Sequence, residues 1–210
     1  MIERVTVDPR IKVREPGELL LLPRVLRVKA IDEDSVKAFS KELSLSHQSG
    51  QPIIPIVIDS YGGDVYALLS MIDTLKSAKI PIATIVEGKA MSCGAILFTF
   101  GSEGYRFIGP NATLMFHDIS GTDVPSEKIE EMKASAKEFD RLNRKLWKMV
   151  AKNIGRPLKE VNDIIQGKGR ADWYLTPTDA LRYNIANKVG IPTLHTQVVV
   201  EMSLDASQES

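Results

Sequence analysis

A single cysteine, Cys93, stands among 210 residues. No internal disulfide can form, and the chain reads as one suited to a reducing compartment. A net charge is missing as well: 27 Lys+Arg balance 27 Asp+Glu. Without a basic excess the chain lacks the counterion-displacing stripe of a general nucleic-acid binder and the polybasic patch of a membrane-surface protein. Long apolar runs are also absent, since Leu19–Leu22 and Ile53–Ile58 are far too short to span a bilayer. The first residues, Met1-Ile2-Glu3-Arg4, interleave charges with no apolar segment behind them, so no secretory signal is read. No Gly-x-x-x-x-Gly-Lys-Ser/Thr occurs, which removes the usual phosphate loop of an ATP-hydrolysing engine. The expectation is a cytoplasmic protein that binds neither nucleic acid nor membrane. Its 43% apolar and 26% charged content suits one globular domain with a sizeable core.

Along the chain, residues 1–20 are charged, carry Pro9, Pro16 and Gly17, and read as a mobile or partner-ordered arm. Val25–Val28 reads as a strand and Asp34–Leu45 as a helix with Val36, Phe39 and Leu43 on one side; Ser46–Gln51 reads as a polar loop. Ile53–Ile58 is a β-branched run of the kind buried on both faces of a parallel sheet. The glycine turn Asp59-Ser60-Tyr61-Gly62-Gly63-Asp64 follows, then Val65, Leu68, Leu69, Ile72 and Leu75 at helical spacing, then a strand at Ile82–Val86. Strand, glycine turn, helix, strand is a βαβ unit. A second unit begins at once, with a helix of small residues at Ser92–Thr99 and strands at Tyr105–Ile108 and Thr113–Phe116.

From Ser126 to about Asn153 the residues Ile129, Met132, Ala136, Phe139, Leu142, Leu146 and Met149 recur every three or four positions, the seam of one long helix. Either it packs within the chain, or it projects and packs against a second copy. Leu158–Ile165 reads as a short helix opened by Pro157, Gly167 and Gly169 as a loop, and Trp173–Leu175 as a strand. Thr176 then caps a helix with Asp179 three residues on. Residues 201–210 read as a disordered polar tail.

The chemistry-bearing residues lie at the ends of these elements. Ser92, in Gly88-Lys89-Ala90-Met91-Ser92-Cys93-Gly94, falls where a strand turns into a helix, the place of a nucleophile elbow and of an ordinary helix cap alike. His117 ends a strand, and of the three histidines, His47, His117 and His195, it alone adjoins the sheet that carries Ser92. An acid is needed to hold such an imidazole in the right tautomer. Asp118 is badly aimed, because successive strand residues face opposite ways; Asp172, at the start of the next strand, is the better candidate. Gly62-Gly63 leaves backbone N–H groups open to a substrate, as an oxyanion hole requires, and is also what a tight βα turn requires.

Taken together, these segments resemble the proteolytic subunits of the Clp (caseinolytic) protease family. The family's Ser-Pro-Gly-Gly turn matches Ser60-Tyr61-Gly62-Gly63, and its Gly-x-Ala-x-Ser-x-Gly turn matches residues 88–94. The Pro-Asn, strand and His segment matches Pro110-Asn111 through His117, and the Asp-aromatic segment matches Asp172 through Tyr183. The resemblance covers about residues 24–190. Tyr61 stands where the family has proline, and Asp118 where it has glutamine. A glycine-rich strand is reduced to Ile119–Asp123, and residues 1–20 depart from the family's pore loops. This fits a divergent member, phage-encoded or accessory.

The resemblance implies an α/β fold, the ClpP/crotonase-like spiral of βα units with a protruding handle helix at 126–153, within a peptidase domain at 21–200. It implies a serine endopeptidase with Ser92 as nucleophile, His117 as base, Asp172 as orienting acid, and the Gly63 and Cys93 amides as oxyanion hole. No metal or other cofactor is implied. The substrates would be unfolded polypeptides, the assembly a homo-oligomer of two stacked heptameric rings, and the partner a separate AAA+ unfoldase of the Clp ATPase kind. A crotonase-like acyl-CoA enzyme, a non-catalytic Clp-like ring subunit and a phage capsid maturation protease are the competing readings.

Overall fold

The structure, a computed structural model, describes residues 23–119, 129–167 and 172–195. The expected arm at 1–20, the first residues of the long helix (126–128), most of the shortened strand (120–123), the loop at Gly169 and the tail at 201–210 lie outside the described residues.

Seven strands form one sheet in the order β1-β2-β3-β4-β7, with β5 joining β3 and β6 joining β5. The strands are β1 (Leu26–Val28), β2 (Ile54–Ser60), β3 (Ile82–Met91), β4 (Arg106–Ile108), β5 (Thr113–Phe116), β6 (Trp173–Leu175) and β7 (Lys188–Val189). All pairings are parallel except β5 with β6. The helices are α1 (Glu33–Gln48), α2 (Val65–Lys76), α3 (Cys93–Phe98), α4 (Ile129–Asn153), α5 (Leu158–Gly167) and α6 (Pro177–Arg182). The βαβ order of the sequence therefore yields a parallel sheet, as crossover connections demand. Its central strands are sealed on both faces: Ile54, Ile56, Ile58, Ile85 and Val86 are at most 1% exposed.

Two local readings need correction, and one strand is new. Ser46–Gln51 is not a loop from its first residue, because α1 runs on to Gln48. Its polar residues stay helical by bonding backward: Ser46 Oγ donates to the Glu42 carbonyl (2.8 Å), and His47 Nδ1 meets the Leu43 carbonyl at 2.9 Å. Strand β3 does not stop at Val86 but continues through Glu87-Gly88-Lys89 to Met91, crossing a register shift on the way. The two-residue β7 has no periodicity to announce it; the chain is drawn there by β4, whose Arg106 carbonyl accepts from Asn187 N–H.

The long helix is divided in its surroundings. Leu142, Leu146, Trp147, Val150 and Ala151 are buried in the body of the molecule, whereas Ile129 is 71% and Met132 54% exposed. The apolar seam thus packs at its C-terminal half and projects at its N-terminal half. Below it, Phe116 sits between Trp147 and Trp173, with ring centroids 6.0 Å and 5.7 Å away, and Trp173 meets Tyr183 edge-on at 5.1 Å. This aromatic row joins α4, β5, β6 and the end of α6 directly behind the ends of β5 and β6.

Candidate active site

Ser92 follows β3 at φ 53°, ψ −124°, backbone angles that are costly for a residue with a side chain. Three constraints hold it there. Its N–H donates to the Met115 carbonyl on β5 at 2.8 Å, and its own carbonyl receives the Ala95 and Ile96 amides that start α3. Its side chain makes no capping bond to the helix, which removes the ordinary-cap reading. The hydroxyl is instead 2.7 Å from His117 Nε2.

His117 reaches Ser92 because β3 and β5 run side by side. Met91 pairs with Met115, so the chain leaves β3 one residue later at Ser92 and leaves β5 two residues later at His117. The other face of the imidazole meets Asp172, with Nδ1 3.7 Å from Oδ1. That is longer than the ~3.2 Å limit of an N–H···O bond but within ion-pair reach. With a carboxylate on the Nδ1 side, the proton belongs on Nδ1, and Nε2 accepts from the Ser92 hydroxyl. The histidine side chain is 28% exposed and that of Asp172 49%, so the group is open to a substrate on one side.

Asp118 points elsewhere, as strand alternation requires. It accepts from the Trp147 indole N–H at 2.8 Å, and the next residue, Ile119, donates its N–H to Asn143 Oδ1 at 2.8 Å. Helix α4 therefore grips the chain on the two residues that follow His117. Nothing in the spacing of Asn143 and Trp147 announces this, since it depends on where a distant helix lies.

The glycine turn passes directly over Ser92. A Cβ on Gly62 would come within 2.7 Å of Ser92 Cβ, 2.9 Å of the Met91 carbonyl and 3.2 Å of the Cys93 nitrogen; one on Gly63 would strike the Ile31 carbonyl. Their φ values are +108° and +149°, which glycine alone tolerates well. Buried Ser60 secures the turn by accepting the Gly62 N–H at 3.0 Å, and Asp64 continues it into α2 by capping Ala67 N–H at 2.7 Å. Cys93 is the first residue of α3, so its N–H has no intrahelical acceptor. Its thiol is buried, donates to the Gly63 carbonyl at 3.2 Å, and is pushed by that burial up to about 11. A thiol held protonated is no nucleophile at neutral pH.

The structure thus brings Ser92, His117 and Asp172 to one point and lays the Gly62–Gly63 turn and the start of α3 beside it. His47 and His195 are not part of this group. His47 joins the end of α1 to the Lys79 amide, which donates to its Nε2 at 3.2 Å. Among the described residues no group of three His, Cys, Asp or Glu side chains could hold a metal ion, and no helix is long and apolar enough to cross a membrane.

Comparison with known proteins points the same way. The family model described as Clp protease matches residues 17–192. Curated relatives named ATP-dependent Clp protease proteolytic subunit align over 172 residues, 81% of this chain and 86% of theirs. The Streptococcus mutans protein is 27% identical, and those of Streptococcus pyogenes serotype M5 and Streptococcus equi subsp. equi are each 26% identical.

Proposed function

This chain belongs to the Clp protease family, and from that premise we propose that it is a serine endopeptidase subunit with Ser92 as nucleophile. The observation that carries the reading is the 2.7 Å contact between His117 Nε2 and a Ser92 hydroxyl held on a positive-φ turn. An uncapping serine in a strained conformation, aimed at an imidazole, has the geometry an activated nucleophile needs.

His117 takes the proton as Ser92 Oγ attacks the scissile carbonyl carbon. Asp172 stabilises the resulting imidazolium through Nδ1. The tetrahedral oxyanion is received by the amides of Gly63 and Cys93, donors that come from the two turns beside Ser92. Collapse breaks the C–N bond, and His117 returns its proton to the leaving amine. Water, deprotonated by the same imidazole, then releases the acyl group and restores the Ser92 hydroxyl.

For the wider setting we propose what the family resemblance implies, a reading that the ATP dependence in the relatives' name supports. The chain works on unfolded polypeptides in the cytoplasm, inside two stacked heptameric rings fed by a separate AAA+ unfoldase. The projecting half of α4, with Ile129 and Met132 exposed, is the surface through which such rings would meet. The acyl-CoA reading loses its ground here, since it gives the Ser92–His117 pair no task.

Hydrolysis of short fluorogenic peptides tests the proposal. The native protein should cleave them without ATP, and Ser92→Ala should lower the rate at least about a thousandfold. An unchanged rate in Ser92→Ala would refute the assignment of the nucleophile.

A further inference from the structure

The two turns that carry the candidate site are joined by the β2–β3 ladder through one pair only, beyond a lapse in that ladder. In the β2–β3 ladder Ile58 pairs with Val86, and the next pair is Ser60 with Ala90. Only Asp59 lies between them on β2, whereas Glu87, Gly88 and Lys89 lie between them on β3. The ladder lapses there and re-forms only at Ser60 with Ala90, just before the glycine turn on one side and the Ser92 turn on the other.

A side-chain bridge spans the gap. Lys89 Nζ lies 2.7 Å from Asp59 Oδ1 and 4.2 Å from the centre of the Tyr61 ring. The main chain of Lys89 meanwhile pairs with Thr113 of β5, the strand that leads to His117. One residue is thus bonded to all three segments that converge on the site. Its side chain is 24% exposed and that of Asp59 44%, so the ammonium is partly covered while the carboxylate remains open to solvent. A Cβ on Gly88 would stand 3.4 Å from Asp59 Oδ1, which shows how closely the bulge is folded onto the carboxylate. The hydrogen bond to Asp59 also raises the ionisation of the Lys89 ammonium above its ordinary value.

We propose that Lys89 is a positioning residue: its contacts with Asp59 and Tyr61 hold the Gly62–Gly63 turn in register with the Ser92 turn. The proposal rests on the serine-peptidase reading for its kinetic consequence, because the two oxyanion donors, Gly63 and Cys93, lie on opposite sides of the gap that Lys89 spans. A small slip between those turns separates the donors without dismantling the fold. The loss then falls on transition-state stabilisation rather than on substrate binding. The Tyr61 ring contributes through its face, not its hydroxyl, since the ammonium sits over the ring.

The test compares Lys89→Met, Lys89→Arg, Tyr61→Ala and Tyr61→Phe with the native protein. In Lys89→Met kcat should fall about tenfold with KM within about twofold, because a sub-ångström misplacement of catalytic groups is felt in the chemical step. Lys89→Arg should recover most of that rate, Tyr61→Ala should lose part of it, and Tyr61→Phe should keep it. Lys37→Met, which removes an exposed ion pair with Asp34 on α1, is the control and should have no effect. Amide hydrogen exchange supplies a readout that needs no turnover: peptides covering 59–64 and 88–93 should exchange faster in Lys89→Met, while those covering α1 do not. If the native protein cleaves no peptide, the peptidase reading fails, and exchange alone still decides whether Lys89 holds the turns. Native exchange at both turns in Lys89→Met overturns the proposal, as does a native kcat in a protein that cleaves peptides.

Discussion

His117 and Asp172 stand one residue beyond the last pair of the antiparallel β5–β6 ladder, one at the end of β5 and the other before the start of β6. The ladder's register runs Leu114 with Leu175, Met115 with Tyr174, Phe116 with Trp173, and one further step sets the imidazole opposite the carboxylate. The Nδ1 to Oδ1 separation is 3.7 Å. Two residues far apart in the chain are thus brought face to face by three ordinary backbone pairings, with the rings of Phe116 and Trp173 packed behind them.

That relationship predicts the behaviour of Asp172→Asn. The substitution preserves shape but removes the charge that favours a proton on Nδ1 and stabilises the imidazolium. We expect kcat on a fluorogenic peptide to drop by about a thousandfold with folding intact. A drop of less than about threefold would mean that Asp172 is a bystander at the strand end.

Burial of the Cys93 thiol predicts its reactivity. With its ionisation pushed up to about 11 by burial, little thiolate exists at pH 8. Alkylation by iodoacetamide in the native state should be at least about tenfold slower than that of a free cysteine, and should become ordinary in denaturant. Fast native alkylation, read by mass spectrometry, would contradict the packing described around Gly63.

Glu138 predicts a feature of the acid limb of stability. Its carboxylate accepts from Arg141 on the same helix and from the Tyr66 hydroxyl, which ties α4 to the first turn of α2, and those bonds hold it down at about 2. A carboxyl whose ionisation is depressed in the folded state stabilises above its unfolded value. That contribution is lost as pH falls from about 4.5 toward 2. Native protein and Glu138→Gln should therefore differ in Tm above pH 5 and converge on approach to pH 2. The difference should be small, because the group is exposed and screened. Equal Tm values throughout would show that this contact adds no stability.

Arg106 predicts a purely structural effect. It is 2% exposed, and its guanidinium donates to the carbonyls of Ile185, Asn184 and Gly101. Arg106→Met leaves these acceptors buried and unpaired at the place where β7 joins the sheet. A loss of about 3 kcal/mol in urea unfolding is expected. A change of less than about 0.5 kcal/mol would show that water replaces the guanidinium there.

Much of the layout was legible because it rests on local signals. The β-branched run at Ile54–Ile58, the glycine pair at 62–63 and the helical spacing after Val65 each have one physical solution, and together they require a parallel sheet. Strand alternation was enough to turn Asp118 away from the site, and the structure sets it on Trp147. What stayed illegible depends on tertiary placement. Glu87-Gly88-Lys89 looks like the end of a strand, yet β3 continues through it because β5 takes over the pairing that β4 gives up after Val86, while β2 resumes at Ser60 with Ala90. The roles of Asn143, Trp147 and Lys89 appear only once α4, β2 and β3 are packed. The polar end of α1 misled for the opposite reason, since serine and histidine side chains there bond back to their own helix.

The most direct measurement of the central claim is mapping of a fluorophosphonate adduct by mass spectrometry after peptide digestion. The account predicts one modified residue, Ser92, with labelling abolished in Ser92→Ala and strongly slowed in His117→Ala. An adduct on another residue, or none on native protein that is folded and assembled, would contradict it.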